Sequence, residues 1–205
     1  ESLFDAMRRM ETYATTGSRM RVRLFGGWDF TDADIHSPNW VERGYNRGVP
    51  MGADMPSPSR KDQAPVFMIS SWKDPDGANL DRVQVIKGWV DKLGQTYEKV
   101  FDVALSDGRV VSPVTGKAPP VGSTVDLSSP SYSNNIGEVQ FTTVWTDPSF
   151  DPEMPAFYYV RVLEIPTPRW TAYDAAYFNL ELPEYVPMVT QERAYTSPIW
   201  FTPER

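Results

Sequence analysis

The chain has 205 residues, 40% of them hydrophobic and 23% charged, which suits one generous folded domain and not a disordered segment. A formal net charge of −7 argues against nucleic acid as a main partner, because neutralising phosphates needs clustered Lys and Arg. With no Cys and one His, the chain can build neither a disulfide framework nor a multi-histidine metal centre, and no run of about 18 apolar residues is present to span a membrane.

In chain order, Ser2-Leu3-Phe4-Asp5 has the form of a capping box. Leu3, Met7, Met10 and Ala14 follow at helical spacing, so the pattern predicts an amphipathic helix that ends near Gly17. Its apolar stripe needs a partner, either a neighbouring molecule or an edge of the domain. Arg19 to Leu24 alternates strictly and predicts a strand with Arg19, Arg21 and Arg23 on its wet face. A phosphate-binding face is the alternative for that triplet. From Gly26 to Gln63 no period is sustained, although Trp28, Phe30, Trp40 and Tyr45 favour a packed excursion over disorder. Loops of that length inside a domain are usually functional.

Further strands are predicted near Pro65–Trp72, Asp81–Val90, Tyr97–Leu105, Gly122–Leu127, Glu138–Thr146 and Phe157–Glu164. The last is the candidate central strand. Asp74-Pro75-Asp76-Gly77, Asp107-Gly108, Asn134-Asn135 and Asp147-Pro148 supply the turns. Thr171–Phe178 is a short helix candidate. Ala194–Phe201 is a closing strand that Pro198 confines to an edge or a bulge. The fold class is therefore mainly β: a two-sheet β-sandwich with a short N-terminal helix and a long irregular excursion.

The chemistry available is sparse. His36 is the only histidine, and no nucleophile elbow, Walker loop or dinucleotide glycine motif occurs. His36 follows Asp29, Asp32 and Asp34 in the excursion. Asp32, Asp34 and His36, with Trp28 and Trp40 holding the loop, are the candidate substrate-contacting residues. The competing expectation is a mini-core of aromatics with the acids in solvent. A calcium loop is a weaker option, because the glycine and distal Glu of that motif are absent. Trp72, Trp89, Trp145, Trp170 and Trp200 fall in or beside strands, where they either pack the core or stack on sugar rings.

Five stretches carry a resemblance. Leu3 to Gly17, including Tyr13-Ala14-Thr15-Thr16-Gly17, is similar to a segment of barrel hydrolases of the polymerase-and-histidinol-phosphatase (PHP) type. Arg47 to Gly52 resembles the turn that follows it, with Ala53 in place of a second glycine. Leu80–Trp89, Val162–Trp170 and Glu192–Trp200 complete a resemblance to the C-terminal part of domain-of-unknown-function family 3604, a PHP-related group.

The resemblance implies a metal-holding barrel upstream and a sandwich after it. Residues 1–18 are then a terminal helix left over from the barrel, and 19–205 the sandwich, with its long loop at about 26–63. The lack of an initiator Met fits the expectation of a piece of a longer protein. No metal ligand and no catalytic residue is expected within the chain, and the divalent metal cluster belongs to the upstream barrel. The implied function is an accessory sandwich of a metal-dependent hydrolase of phosphoesters. The rival is a stand-alone carbohydrate- or protein-binding module. The expected partners are the upstream barrel and, through Leu3, Met7 and Met10, a second copy. The resemblance favours export.

Overall fold

Aromatic and β-branched residues at alternate positions give this chain long antiparallel strands and few helices. The computed structural model describes residues 1–60 and 62–203, so Lys61 of the excursion and Glu204 and Arg205 of the expected sandwich lie outside the described residues. The strands are β1 (Tyr13–Thr15), β2 (Arg21–Gly27), β3 (Gly48–Pro50), β4 (Val66–Trp72), β5 (Leu80–Val90), β6 (Thr96–Leu105), β7 (Gln140–Thr146), β8 (Ala156–Glu164), β9 (Thr167–Pro168), β10 (Val189–Thr190), β11 (Arg193–Thr196) and β12 (Ile199–Phe201). The helices are α1 (Ser2–Arg8), α2 (Asp32–Ile35), α3 (Trp40–Arg47) and α4 (Trp170–Phe178). Helix accounts for 14% of the chain and strand for 36%, which makes the fold mainly β as expected.

The larger sheet runs β1-β11-β8-β5-β6, with β12 also on β8; the smaller runs β3-β2-β4-β7. Every pairing between these strands is antiparallel. One core joins the two sheets: Val22, Leu24, Phe67, Ile69 and Phe141 of the smaller meet Val83, Val85, Tyr158, Val160 and Val162 of the larger. The expected central strand is central. β8 lies between β11 and β5, and every second residue from Ala156 to Glu164 is buried.

Pro198 splits the closing strand. Arg193–Tyr195 pair with Arg161–Leu163, and after the break Ile199–Phe201 pair with Ala156–Tyr158. At the break the Val160 N–H donates to Thr196 Oγ1 at 2.9 Å, so a buried backbone donor left out of the ladder keeps a partner.

Three expectations are corrected. The leading helix stops at Arg8; Met10 takes a positive φ of 56°, and Tyr13–Thr15 joins the large sheet against Ala194–Thr196. Thr12, Tyr13, Thr15 and Thr16 suit an extended edge, and pairing there prevails over a helical period set by only four residues. The Ser2–Asp5 capping box does not form, because the helix is capped one residue earlier, at Glu1, without a side-chain bond. Gly122–Leu127 is not a strand. It makes a single bridge, Asp126 to Ser131, and the Asp126 carboxylate instead accepts the Ser128 N–H at 2.8 Å in a local turn.

Candidate functional site

The excursion holds more regular structure than its sequence suggested. In α2, Asp34 accepts the Thr31 N–H at 2.9 Å and the Thr31 hydroxyl at 2.8 Å, which fixes the first turn. Its other oxygen accepts Arg43 at 2.9 Å and Arg47 at 2.6 Å from α3, so one buried carboxylate ties the two helices together. Burial alone raises the Asp34 pKa, but the Thr31, Arg43 and Arg47 contacts outweigh it and hold the carboxyl well below the usual carboxylate range. Gly44 lets α3 lie directly on β2, since a Cβ there would sit 2.5 Å from the Phe25 ring.

The five candidate residues therefore separate. Asp34 is occupied by its four donors. The His36 ring is exposed and its Nδ1 lies 2.7 Å from the Asp32 carbonyl oxygen, so its contact is with the backbone of Asp32 and not its carboxylate. Trp28 donates its indole N–H to the Pro56 carbonyl at 3.0 Å and meets Phe150 and Phe201 edge-on. Trp40 meets Phe25 edge-on at 5.9 Å. Among the described residues no three His, Asp or Glu side chains stand together as metal ligands, so neither the calcium loop nor the metal implied by the resemblance has a ligand set here.

The excursion covers one half of the outer face of the small sheet. Phe25, Met68, Val144 and Val66 lie under Phe30, Ile35, Trp40 and Val41 as a second, smaller core. The other half is more open, with Tyr13 and Trp40 at its edges. By register, Arg21 faces Trp72 and then Gln140 across the strands, and Arg23 faces Ser70 and then Thr142. Tyr13, Arg21, Arg23, Trp40, Ser70 and Trp72 line an open depression of about 260 Å³ there. The alternation of Arg19, Arg21 and Arg23 indeed marks an exposed face, but Arg19 leaves the group to pair with Asp74 and Asp76.

A second concavity, of about 580 Å³, opens on the large sheet. Trp89 stacks on Tyr97 at 5.4 Å, and Trp200 tilts against Phe157 at 5.2 Å. Gly88 forms the floor, where a Cβ would meet the Phe157 ring at 2.3 Å. Its lining carries Thr96, Glu98 and Thr202 but no Lys or Arg. Of the five strand tryptophans, Trp89 and Trp200 line this groove and Trp72 the open half of the small sheet's outer face; Trp145 packs on Phe67 and Phe101. Trp170 is exposed at the start of α4.

Buried polar groups account for much of the remaining motif sequence. Asp81 accepts Arg109 at 2.6 Å and Arg82 at 3.0 Å, with Gln191 at 3.1 Å. The buried Lys87 ammonium sits 2.6 Å from Asp147, which also accepts the Tyr158 hydroxyl at 2.7 Å; burial, then Asp147, raises the pKa of that phenol far above normal. Glu164 is 2% exposed and its Oε1 has no hydrogen-bond partner, with Ser18 Oγ near it but also unpartnered. Burial first, then the carboxylates of Glu192 and Asp74, push the Glu164 carboxyl up to about 7, against the nearby Ser18 hydroxyl and Lys73 ammonium.

Fold and site together define a mainly-β, two-sheet antiparallel domain with a packed excursion on one face and an open concavity on each sheet. Residues 1–203 match the model of a family described as "Protein of unknown function (DUF3604)", and the chain belongs to that family. Comparison with curated proteins and with solved structures found no match to either.

Proposed function

We propose that this chain is the accessory β-sandwich of a PHP-like metal-dependent hydrolase of phosphoesters, with the metal centre on an upstream barrel domain of the same protein. The observation that carries this reading is the apolar stripe of α1. Leu3, Phe4 and Met7 are 79%, 59% and 61% exposed, none of the seven residues of α1 is buried, and Met10, just beyond the helix, is 55% exposed. A helix that keeps its apolar side chains exposed in its own chain has that face ready for another body. In this reading α1 seats the sandwich on the barrel, and the solvent-facing residues of the excursion, Asp32 and His36, reach the barrel mouth, while Asp34, Trp28 and Trp40 hold the excursion in shape.

The test compares the chain alone with the chain joined to its upstream region, using p-nitrophenyl phosphate with added divalent metal. Turnover is expected only with the upstream region present, and Met7→Lys with Met10→Lys is expected to weaken the association of the two parts when they are made separately. Hydrolysis by the chain alone, or an upstream region that neither hydrolyses the ester nor binds the chain, overturns the reading. In the joined protein His36→Ala is expected to lower turnover without lowering the melting temperature; unchanged kinetics removes the excursion from substrate contact. Sedimentation of the chain alone shows whether the same stripe also supports self-association through Leu3, Met7 and Met10.

The aromatic groove favours a second reading, a binding module for neutral carbohydrate. Four rings around a glycine floor, with hydroxyl and carboxylate groups at the rim, suit the apolar faces and hydroxyls of a sugar. Glycan binding that persists in the chain alone and is lost in Trp200→Ala supports it.

A further inference from the structure

We infer that the open half of the small sheet's outer face, centred on Arg21 and Arg23, is a binding site for a short acidic saccharide, a pyranose carrying one carboxylate or sulfate. This assignment is independent of the hydrolase reading.

Charge accounting is the first support. The chain carries 27 acids against 20 Lys and Arg, so a basic side chain has acceptors to spare. Arg9, Arg19, Arg43, Arg47, Arg60, Arg82 and Arg109 each pair with a carboxylate. Of the other described arginines without a carboxylate, Arg8 and Arg169 lie over the Phe4 and Trp170 rings and Arg161 and Arg193 donate to Gln84 and Gln191. Among the described residues Arg21 and Arg23 make neither kind of contact, although they are two positions apart on one strand face, about 7 Å along it. Two guanidinium forks left open side by side match the geometry of an oxyanion, which an ammonium would meet only as a point charge.

The aromatic rings are the second support. Tyr13, Trp40 and Trp72 surround the two arginines, and Trp72, directly across from Arg21, is 50% exposed. The cation–π contacts found in the described residues involve Arg8, Arg47, Lys87, Lys99 and Arg169, so neither Arg21 nor Arg23 lies over one of these rings. The ring faces and the guanidinium groups are therefore available to one ligand at the same time. A pyranose stacked on Trp72 brings its substituent to Arg21 and Arg23 and its hydroxyls to Gln140 and Thr142 along the same rows.

Size and field set the class. A depression of about 260 Å³ takes one or two rings. The net charge of −7 disfavours a long polyanion, whereas screening over about 8 Å at physiological salt leaves the local arginine pair to act on a single nearby anion. The groove on the large sheet has no cation in its lining and would not discriminate in this way.

The experiment is calorimetric titration of the chain with glucuronic acid, glucose 6-sulfate, glucose and inorganic sulfate. Binding of at least one acidic sugar, with glucose and free sulfate each weaker by about tenfold or more, is the expected result. Arg21→Ala with Arg23→Ala is expected to abolish it. Arg21→Lys with Arg23→Lys is expected to retain only part of it, Trp72→Ala to weaken it about tenfold, and Trp200→Ala in the other groove to leave it unchanged. A preference for carboxylate or for sulfate identifies the source of the anion. Equal binding of glucose, binding by sulfate as tight as by the sugars, survival in the double alanine variant, or no binding of any probe overturns the assignment. Circular dichroism and melting of each variant confirm that the exposed substitutions leave the fold intact.

Discussion

The outer face of the small sheet presents the same strands twice, once covered and once open. Under the excursion, Phe25, Met68 and Val144 are roofed by α2 and α3, and the arginines brought with those helices, Arg43 and Arg47, are neutralised by Asp34. Two to four residues along the same strands, Arg21 and Arg23 stand open beside Trp72, and among the described residues neither forms an ion pair. The difference teaches that an arginine's role here follows from its neighbours. Where an acid and apolar cover are supplied, the cation is structural; where rings and open space are supplied, it is left for a ligand.

The sharpest contrast between paired and unpaired buried groups lies in two carboxylates. Glu164, with no partner for one oxygen, titrates at about 7 in the folded chain against 4.5 for an ordinary glutamate. Its raised pKa means that the folded state holds the extra proton: the stabilisation is fully present below the unfolded value and is lost as pH rises through 7. The change is about 3 kcal/mol. In urea denaturation Glu164→Gln is therefore expected to match the parent near pH 4 and exceed it near pH 8. An equal difference at both pH values would show that the carboxyl is not held protonated.

Asp34 has the opposite sign. Its folded pKa is depressed, so its contribution is present above the ordinary carboxylate range and lost as pH falls through the folded value. Asp34→Ala is expected to destabilise the chain by roughly 2 kcal/mol at pH 7, less than a fully enclosed pair, because Arg43 and Arg47 are more than a third exposed and can rehydrate. Local hydrogen exchange in α2 and α3 should rise in the same variant. A neutral result would mean that the aromatic cover alone holds the excursion. The smallest effect is expected on the open half, where Arg21→Ala and Arg23→Ala together change unfolding free energy by no more than about 0.5 kcal/mol. A larger loss would mean that these arginines have a structural partner.

Strand alternation made most of this architecture legible. The alternation from Arg19 to Leu24 and the apolar runs of β4, β5 and β8 placed the sandwich and its central strand, and Pro198 marked the break between β11 and β12. The excursion's helices were less visible. α2 has four residues, too few for a period, although Thr31 followed three residues later by Asp34 has capping-box spacing, and Val41 with Tyr45 marks one face of α3. The helical period from Leu3 to Ala14 overstates the leading helix because a strand on a sheet edge depends on a partner, β11, about 180 residues away. Gly122–Leu127 is the converse case: an extended pattern whose one bridge, Asp126 to Ser131, is local. Of the site, the exposed arginines were legible, but Trp72 beside them looked like core, and the four-ring groove depends on registers between β5, β6, β8 and β12 that no local pattern states. Asp34 was named for chemistry and turned out to be the internal ion-pair partner of two arginines more distant in sequence than His36.

The comparison is tested most directly by following arginine side-chain Nε–H resonances while the chain is titrated with glucuronic acid and with glucose 6-sulfate. The expected result is that Arg21 and Arg23 shift with at least one of the two sugars and that Arg43 and Arg47, locked on Asp34, do not. Shifts confined to Arg43 and Arg47, or equal shifts of all four, would contradict the division between a ligand face and a structural cover.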